Sequence, residues 1–260
     1  MTEVLAGDIG GTHARFARVR PGDGRVELDE VQVYDVPGAA SLEALIRGYL
    51  ADHPGDVAAA AIGIAAPIVG GKANPINLPW AVDEAEVRAA IGSQHGHLLN
   101  DLLANAYGIG ELADDGVDEI QPDRIGLGGN RAVCSAGTGL GIAGMVALDG
   151  GWRPFASEGG HIDYGPRDAD VSAALTLELF CRAYGAQAGN LALVLLATGG
   201  MYIGGGIAPR VLPIIKRGGF LDAFHAKGRY DGLLERMAVR VILDDACALR
   251  GAARFALGQL

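Results

Sequence analysis

Gly7-Asp8-Ile9-Gly10-Gly11-Thr12 places a carboxylate and a hydroxyl on either side of a glycine pair. Without β-carbons, such a turn can point several backbone N–H groups into one concavity, which suits phosphate oxygens. Thr12 adds a hydroxyl donor, and Asp8 is suited to hold a magnesium ion through water. An ordinary hairpin turn would also use two glycines, but it gives no reason for an aspartate at the strand end. Ser135-Ala136-Gly137-Thr138-Gly139-Leu140-Gly141 repeats the theme. Its spacing superficially resembles a dinucleotide fingerprint, yet a strand rather than a helix is expected to follow it. It reads as a second phosphate-facing hairpin, and two such turns imply a nucleotide held between two domains.

Asn100-Asp101 falls where a strand gives way to a helix. Both residue types are preferred helix caps, and strand ends are also where α/β proteins place their ligands, so cap and catalytic base both stand as readings. In Ser157-Glu158-Gly159-Gly160-His161-Ile162-Asp163, two glycines separate Glu158 from His161. A loop of this kind can present both to a polyhydroxyl ligand, or it is a polar turn with a surface histidine. Gly204-Gly205-Gly206-Ile207-Ala208-Pro209-Arg210 fits a strand-to-helix turn whose bare backbone can take the ribose or phosphate side of a nucleotide. His95 and His97 form an HxH pair with no third ligand in the sequence nearby, and a solvated turn explains them better than a metal site.

The composition removes several classes of function. The net charge of −10, with no basic stripe, disfavours a nucleic-acid partner. Cys134, Cys181 and Cys247 form no CxxC pair, as expected of reduced cytoplasmic thiols. No secretory signal pattern opens the chain. Residues 183–209 carry no charge and are long enough to span a bilayer, but Gly199, Gly200, Gly204, Gly205 and Gly206 count against one helix there. A buried helix ending near Thr198 and a strand at 201–203 fit better, so no membrane partner is expected. Glycine, at 41 of 260 residues, is more than double its usual share of about 7%. That excess suggests tight turns and close backbone approach.

The elements that must carry these motifs follow from hydrophobic periodicity. Strands are expected at 4–9, 13–19 and 26–34, then a helix capped by Ser41 and a fully buried strand at 57–66. Residues 67–77 are irregular or a hairpin, 82–91 a short helix, 97–99 a short strand and 102–112 a helix. The acidic stretch 113–124 looks like a boundary, after which strand, glycine-threonine turn and strand begin again at 132–136 and 142–148, with a further strand at 152–156. One or two helices over 173–197, a strand at 201–203, a helix from Pro209, a strand at 239–243 and a helix over 246–257 complete the chain. The echo between the two halves suggests two domains of related topology.

Taken together, GDIGGTHARFA, INLPW, NDLLANA, SAGTGLGIA, SEGGHIDYGP and GNLALVLLATGGMYIGGGIAPR resemble, in order, the bacterial glucokinase family. That family is hexokinase-like and belongs to the actin-like ATPase superfamily. The resemblance implies an α/β fold of two ribonuclease H-like domains, with mixed sheets flanked by helices and a cleft between them. It implies a small domain over 1–110, a larger one over 111–244 and a helix at 245–260 packing back on the first. The activity implied is ATP-dependent phosphorylation of glucose, with Mg2+, in the cytoplasm and commonly as a homodimer. Carried over by position, Asp101 is the catalytic base, and Asn77, Asn100, Glu158 and His161 meet the sugar. Gly7 through Thr12 and Gly137, Thr138 and Gly139 form the phosphate turns, with Asp8 the outer-shell magnesium ligand, and Gly205 and Gly206 border the adenosine.

Two departures stand out. His13 replaces the family's usual asparagine. Between HIDYGP and the FCRAYGAQAGN helix, residues 167–179 alone replace a longer helical segment, an apparent gap near 167–173 of roughly 60 residues, about half of a small domain. The segment's ExxxSGxG-like motif is absent from this sequence. The alternatives to a working kinase are therefore an impaired sugar-binding protein of the same fold, or an actin-like ATPase with a protein partner. The latter would not need Glu158 and His161.

Overall fold

Apolar alternation on either side of Gly10-Gly11 produces a hairpin in which β1 (Glu3–Ile9) pairs antiparallel with β2 (His13–Val19). The computed structural model describes residues 3–22, 24–126, 128–137, 139–161 and 173–260. Next in the chain come β3 (Asp29–Asp35), α1 (Leu42–Asp52), β4 (Val57–Ile64), and the two-residue strands β5 (Lys72–Ala73) and β6 (Val82–Asp83). They are followed by α2 (Glu84–Ile91), β7 (His95–Asn100) and α3 (Asp101–Gly108). Ser41 caps α1 through its hydroxyl, 3.0 Å from the Ala44 N–H, and Asp83 caps α2 at 2.8 Å from the Ala85 N–H.

Residues then continue as β8 (Val117–Gln121), β9 (Arg131–Ala136), β10 (Leu140–Leu148), β11 (Gly151–Ser157) and α4 (Ala173–Val194). After these come β12 (Gly200–Gly204), α5 (Ala208–Ile215), α6 (Gly219–His225), α7 (Asp231–Leu234), β13 (Val239–Ile242) and α8 (Cys247–Leu257). The chain divides into two compact units, Met1–Glu111 with Ala246–Leu260, and Leu112–Asp245.

In the first unit the sheet order is β3-β2-β1-β4-β7, with β1, β4 and β7 parallel. Alternation sorts its two faces. Leu5, Phe16, Ile62 and Ile64 pack with Leu42, Ile46 and Tyr49 of α1. Val4, Ala6, Ala17, Ala59 and Ala61 pack with Leu249, Ala252, Ala253 and Ala256 of α8. The second face is built of small residues because α8 also presses on α3. A β-carbon on Gly251 would collide with the Ala104 carbonyl, and one on Gly108 with that of Cys247. A buried carboxylate secures the other end of α8. Glu111 accepts the Val26 N–H at 2.7 Å and is forked by Arg254, at 2.6 Å to Oε1 and 2.9 Å to Oε2.

The second unit's sheet runs β11-β10-β9-β12-β13-β8. Its first five strands repeat the first unit's plan: two antiparallel hairpin partners, then two parallel additions. Ala132, Cys134, Met201, Ile203, Val239 and Val241 share one face with residues of α4 to α7. On the opposite face Arg131 stacks 3.5 Å over Trp152, with Tyr202 at 5.7 Å. Each unit is thus a mixed sheet flanked by helices, the α/β class that the sequence implied.

Several local expectations change. The acidic boundary contains β8, an edge strand held antiparallel to β13. The strand expected at 97–99 extends back to His95, so that no solvated turn holds the histidine pair, because Gly96 between them fits against the Arg88 backbone. The third strand begins at Asp29, α3 ends at Gly108, and residues 173–194 form a single helix. Helices α6 and α7 were not anticipated. Among the described residues no helix is long and apolar enough to cross a membrane. Thr138 and residues 167–172 of the short connection lie outside the described residues.

The α3–α8 contact leaves no room for a side chain. Gly251→Ala is expected to destabilise the protein by about 1–3 kcal/mol. At roughly 2–4 °C per kcal/mol for a chain of this size, that is a drop in Tm of several degrees. Gly232→Ala, where nothing lies within 4 Å, should leave Tm unchanged or slightly raised. Thermal unfolding followed by circular dichroism measures both, and equal Tm values would refute the packing argument.

Candidate functional site

At the carboxyl edge of the first unit's sheet, Ile9 stands opposite Ile64, and Ile64 opposite Asn100. Two strand spacings separate Ile9 from Asn100, about 10 Å. The turn of Gly10, Gly11 and Thr12 and the carboxylate of Asp101 therefore leave the sheet along one edge. Gly10 donates its N–H to His13 O at 2.9 Å, while Thr12 O accepts the Val36 N–H at 3.0 Å. Gly10, Gly11 and Thr12 are exposed, so the glycine backbone is open to a ligand. Asn77 lies against this turn, where a β-carbon on Gly11 would stand 3.0 Å from Asn77 Cβ.

Gly7 and Ile9 have a different duty. A side chain on Gly7 would run into Ile62 Cδ1 at 2.6 Å, and Ile9 is buried in the α1-facing core. Asp8 alternates with them, half-buried, opposite Arg15 in β2 and Gly63 in β4. His13 stands 3.3 Å from Asp35, both side chains exposed.

Asn100 is 9% exposed and is the cap of α3. Its Oδ1 accepts the Leu102 and Leu103 N–H groups at 3.0 and 3.2 Å, and its amide reaches Ala66 O at 3.4 Å. Asp101 is the first residue of the helix, its Oδ1 accepting the Leu102 N–H at 2.9 Å. The cap reading is correct for Asn100, and it fixes the direction in which Asp101 leaves the strand.

In the second unit, Gly137 donates its N–H to Gly139 O at 2.8 Å, closing the β9–β10 turn. Two further loops rest on the backbone that makes this turn. Gly205, at φ 81°, is in the left-handed region, and a β-carbon there would meet Ser135 Oγ and, at 2.8 Å, Ala136 O. Gly206 follows, open on its side-chain face, before α5 with Pro209 in its first turn. After β11, Glu158 is exposed, the Gly159 N–H donates to Ser157 Oγ at 3.1 Å, and a β-carbon on Gly160 would coincide with the Leu140 carbonyl. His161 closes this short 3-10 turn, and its side chain lies outside what the structure describes.

Among the described residues, no cluster of three or more His, Cys, Asp or Glu could hold a metal ion. Burial pushes the Cys134 thiol up to about 12, so it supplies no thiolate nucleophile near neutral pH. The sequence reading passed over Tyr184 of α4, whose hydroxyl meets the ends of β9 and β12. Its only signal was a tyrosine followed by the small residues Gly185 and Ala186 in α4.

The sequence pattern described as Glucokinase matches residues 5–173 and 167–259. The glucokinase of Tolumonas auensis is 32% identical over 311 aligned positions, covering 97% of this chain and 96% of the relative. That of Hahella chejuensis is 31% identical, covering 96% and 95%. These alignments are longer than the 260-residue chain, so the relatives carry residues with no counterpart here. Among solved structures, a glucokinase from an Antarctic psychrotroph superposes with a TM-score of 0.87 at 25% identity, covering 99% of each chain. A ROK family glucokinase from Streptomyces griseus in complex with glucose and AMPPNP shares the fold, with a TM-score of 0.68 at 19% identity, covering 98% of this chain and 99% of that one.

The cap geometry makes Asn100 separable from its neighbour. Asn100→Ala should destabilise by about 0.5–2 kcal/mol, and Asn100→Ser should recover most of that loss because serine can cap α3. Urea unfolding of the three proteins measures this. Equal stability of the alanine and parental proteins would show that the cap contributes nothing.

Proposed function

The chain belongs to the glucokinase family, and we propose that it phosphorylates glucose at the 6-hydroxyl with ATP, Asp101 accepting the hydroxyl proton. The products are glucose 6-phosphate and ADP. The observation that carries the assignment is the shared sheet edge, where Asp101 follows β7 two strands from the turn of Gly10, Gly11 and Thr12. Phosphoryl transfer asks little covalent chemistry of the protein. It needs a positioned hydroxyl and donors for the charge on the phosphoryl oxygens. Capping by Asn100 supports the first, and the exposed glycine backbone supports the second.

The other roles follow the same logic. Glu158, on a loop anchored by Gly160, is assigned to the sugar hydroxyls with His161, Asn77 and Asn100. The turn of Gly137 and Gly139, with Thr138, takes phosphate, and Gly205 and Gly206 border the adenosine. Asp8 fits an outer-shell magnesium role. Its carboxylate is a hard oxygen ligand at the strand end beside a phosphate turn, half-buried and opposite Gly63. Magnesium is commonly held by one or two carboxylates with substrate phosphates and water. When bound, the ion neutralises charge on the ATP phosphates. Cytoplasmic location, entry of the product into glycolysis and a homodimeric state are carried over from the family.

The extra length of the relatives favours a second reading, in which glucose is bound but turned over slowly. A coupled assay of glucose-dependent ADP release decides between them, with turnover on the order of 1–100 per second expected of a working kinase.

Asp101→Asn should lower turnover by about 10²- to 10⁴-fold with the circular dichroism spectrum unchanged. Turnover within a few-fold of the parent would remove Asp101 from the chemistry. Glu158→Gln should weaken glucose binding by roughly one to two decades while ATP binding stays the same. Calorimetry with each substrate measures this, and a matching loss of ATP affinity would assign the loop to the nucleotide instead.

A further inference from the structure

Tyr184 projects from α4 between Phe180 and Phe220, with ring centroids 5.6 and 5.8 Å away, and is 3% exposed. Its hydroxyl faces the point where two parallel strands part. The last pair of β9 and β12 is Ser135 with Gly204, and beyond it β9 enters the Gly137 turn while β12 enters the Gly205 turn. A ladder that ends by divergence leaves buried backbone groups that need other partners. The tyrosine oxygen provides them. It donates toward Cys134 O at 2.9 Å, with Gly204 O a second acceptor at 3.3 Å, and it accepts the Ala136 N–H at 3.1 Å. Burial raises its pKa well above the ordinary value, so the hydroxyl keeps its proton and remains a donor.

One oxygen therefore touches both strands immediately before their turns. Phenylalanine would fill the same space without holding either strand. The contact of Gly205 with Ser135 and Ala136 places the second turn on the same backbone. A shift at Cys134 or Ala136 is thus felt at Gly137 and at Gly205 together.

We propose that Tyr184 is a positioning residue for the nucleotide, its hydroxyl fixing the spacing between the Gly137 and Gly205 turns. This rests on reading those turns as the phosphate and adenosine sides of the ATP site. Tyr184 touches neither substrate; it acts through the backbone that does.

The test compares the parent with Tyr184→Phe and with Tyr49→Phe. Tyr49 is an equally buried tyrosine of the other unit, whose hydroxyl donates to Glu30 O at 3.0 Å. Tyr184→Phe should raise KM for ATP and Kd for ADP roughly tenfold, leaving KM for glucose within about twofold. The Ala136 amide should exchange its hydrogen on the order of tenfold faster. Tyr49→Phe should lower Tm and leave both KM values alone. Absence of glucose-dependent ADP release in the parent would overturn the kinase reading, and calorimetry with ADP would then decide on the tyrosine. Equal ADP affinity in parent and Tyr184→Phe, no ADP binding by the parent, equal loss of glucose and ATP affinity, or a Tyr184→Phe protein that does not fold would each overturn the proposal.

Discussion

Helix α8 lies so close to α3 that peptide groups occupy the space where β-carbons would be, at Gly251 against Ala104 and at Gly108 against Cys247. The same constraint recurs at the functional loops. Gly160 meets the Leu140 carbonyl, Gly205 meets the end of β9, and Gly11 meets Asn77. Backbone in contact with backbone has few degrees of freedom, since neither partner has a rotamer to change. A glycine-rich chain would ordinarily lose stability to its unfolded entropy. Here that cost is tied to loops whose position relative to the sheet is set by main-chain geometry alone.

The two sheets show what this constraint permits. Both run through a double hairpin into two parallel strands, and both carry a glycine turn in the first of the two hairpins, β1–β2 and β9–β10. In the first unit one face takes bulky side chains from α1, and the other takes alanines beneath α8. That asymmetry brings the α3 side close to the strands, where Asn100 can cap the helix and reach Ala66 with its amide. In the second unit the helical face holds Phe220, Phe224 and Tyr184, and the opposite face is dressed by Arg131 against Trp152. The same strand order thus supports two different linings.

Much of this was legible in the residues. Alternation at 13–19 and the glycine pair before it marked the first hairpin to within a residue, because a short glycine turn between two apolar runs joins neighbouring strands. The all-apolar run from Val57 gave the central strand, and Ser41 marked the start of α1. Asn100 revealed its cap role because that role is local, two and three residues along the chain. Strand β8 did not show itself, since Asp118 and Glu119 mask its alternation and only pairing with β13, over a hundred residues away, makes it a strand. The strand expected at 97–99 starts two residues earlier, at His95, because a glycine between histidines has little strand propensity of its own and the packing of Gly96 on Arg88 decides it. Tyr184 was invisible for the same reason: its partners lie 20 to 50 residues away.

The first unit is made of two separate stretches of chain, residues up to Glu111 and residues from Ala246 onward. At a synthesis rate of about 5–20 residues per second, α8 emerges from the ribosome several seconds after α3. During that interval the alanine face of β1 and β4 has no helix over it, and Glu111 has no Arg254. The intervening unit contains all of its own strands and can close first. The nascent first unit must therefore wait, with an apolar sheet face uncovered, for the last helix of its own fold. Chaperone engagement during synthesis would fall on the earlier half of this protein, although that half is the first to be made.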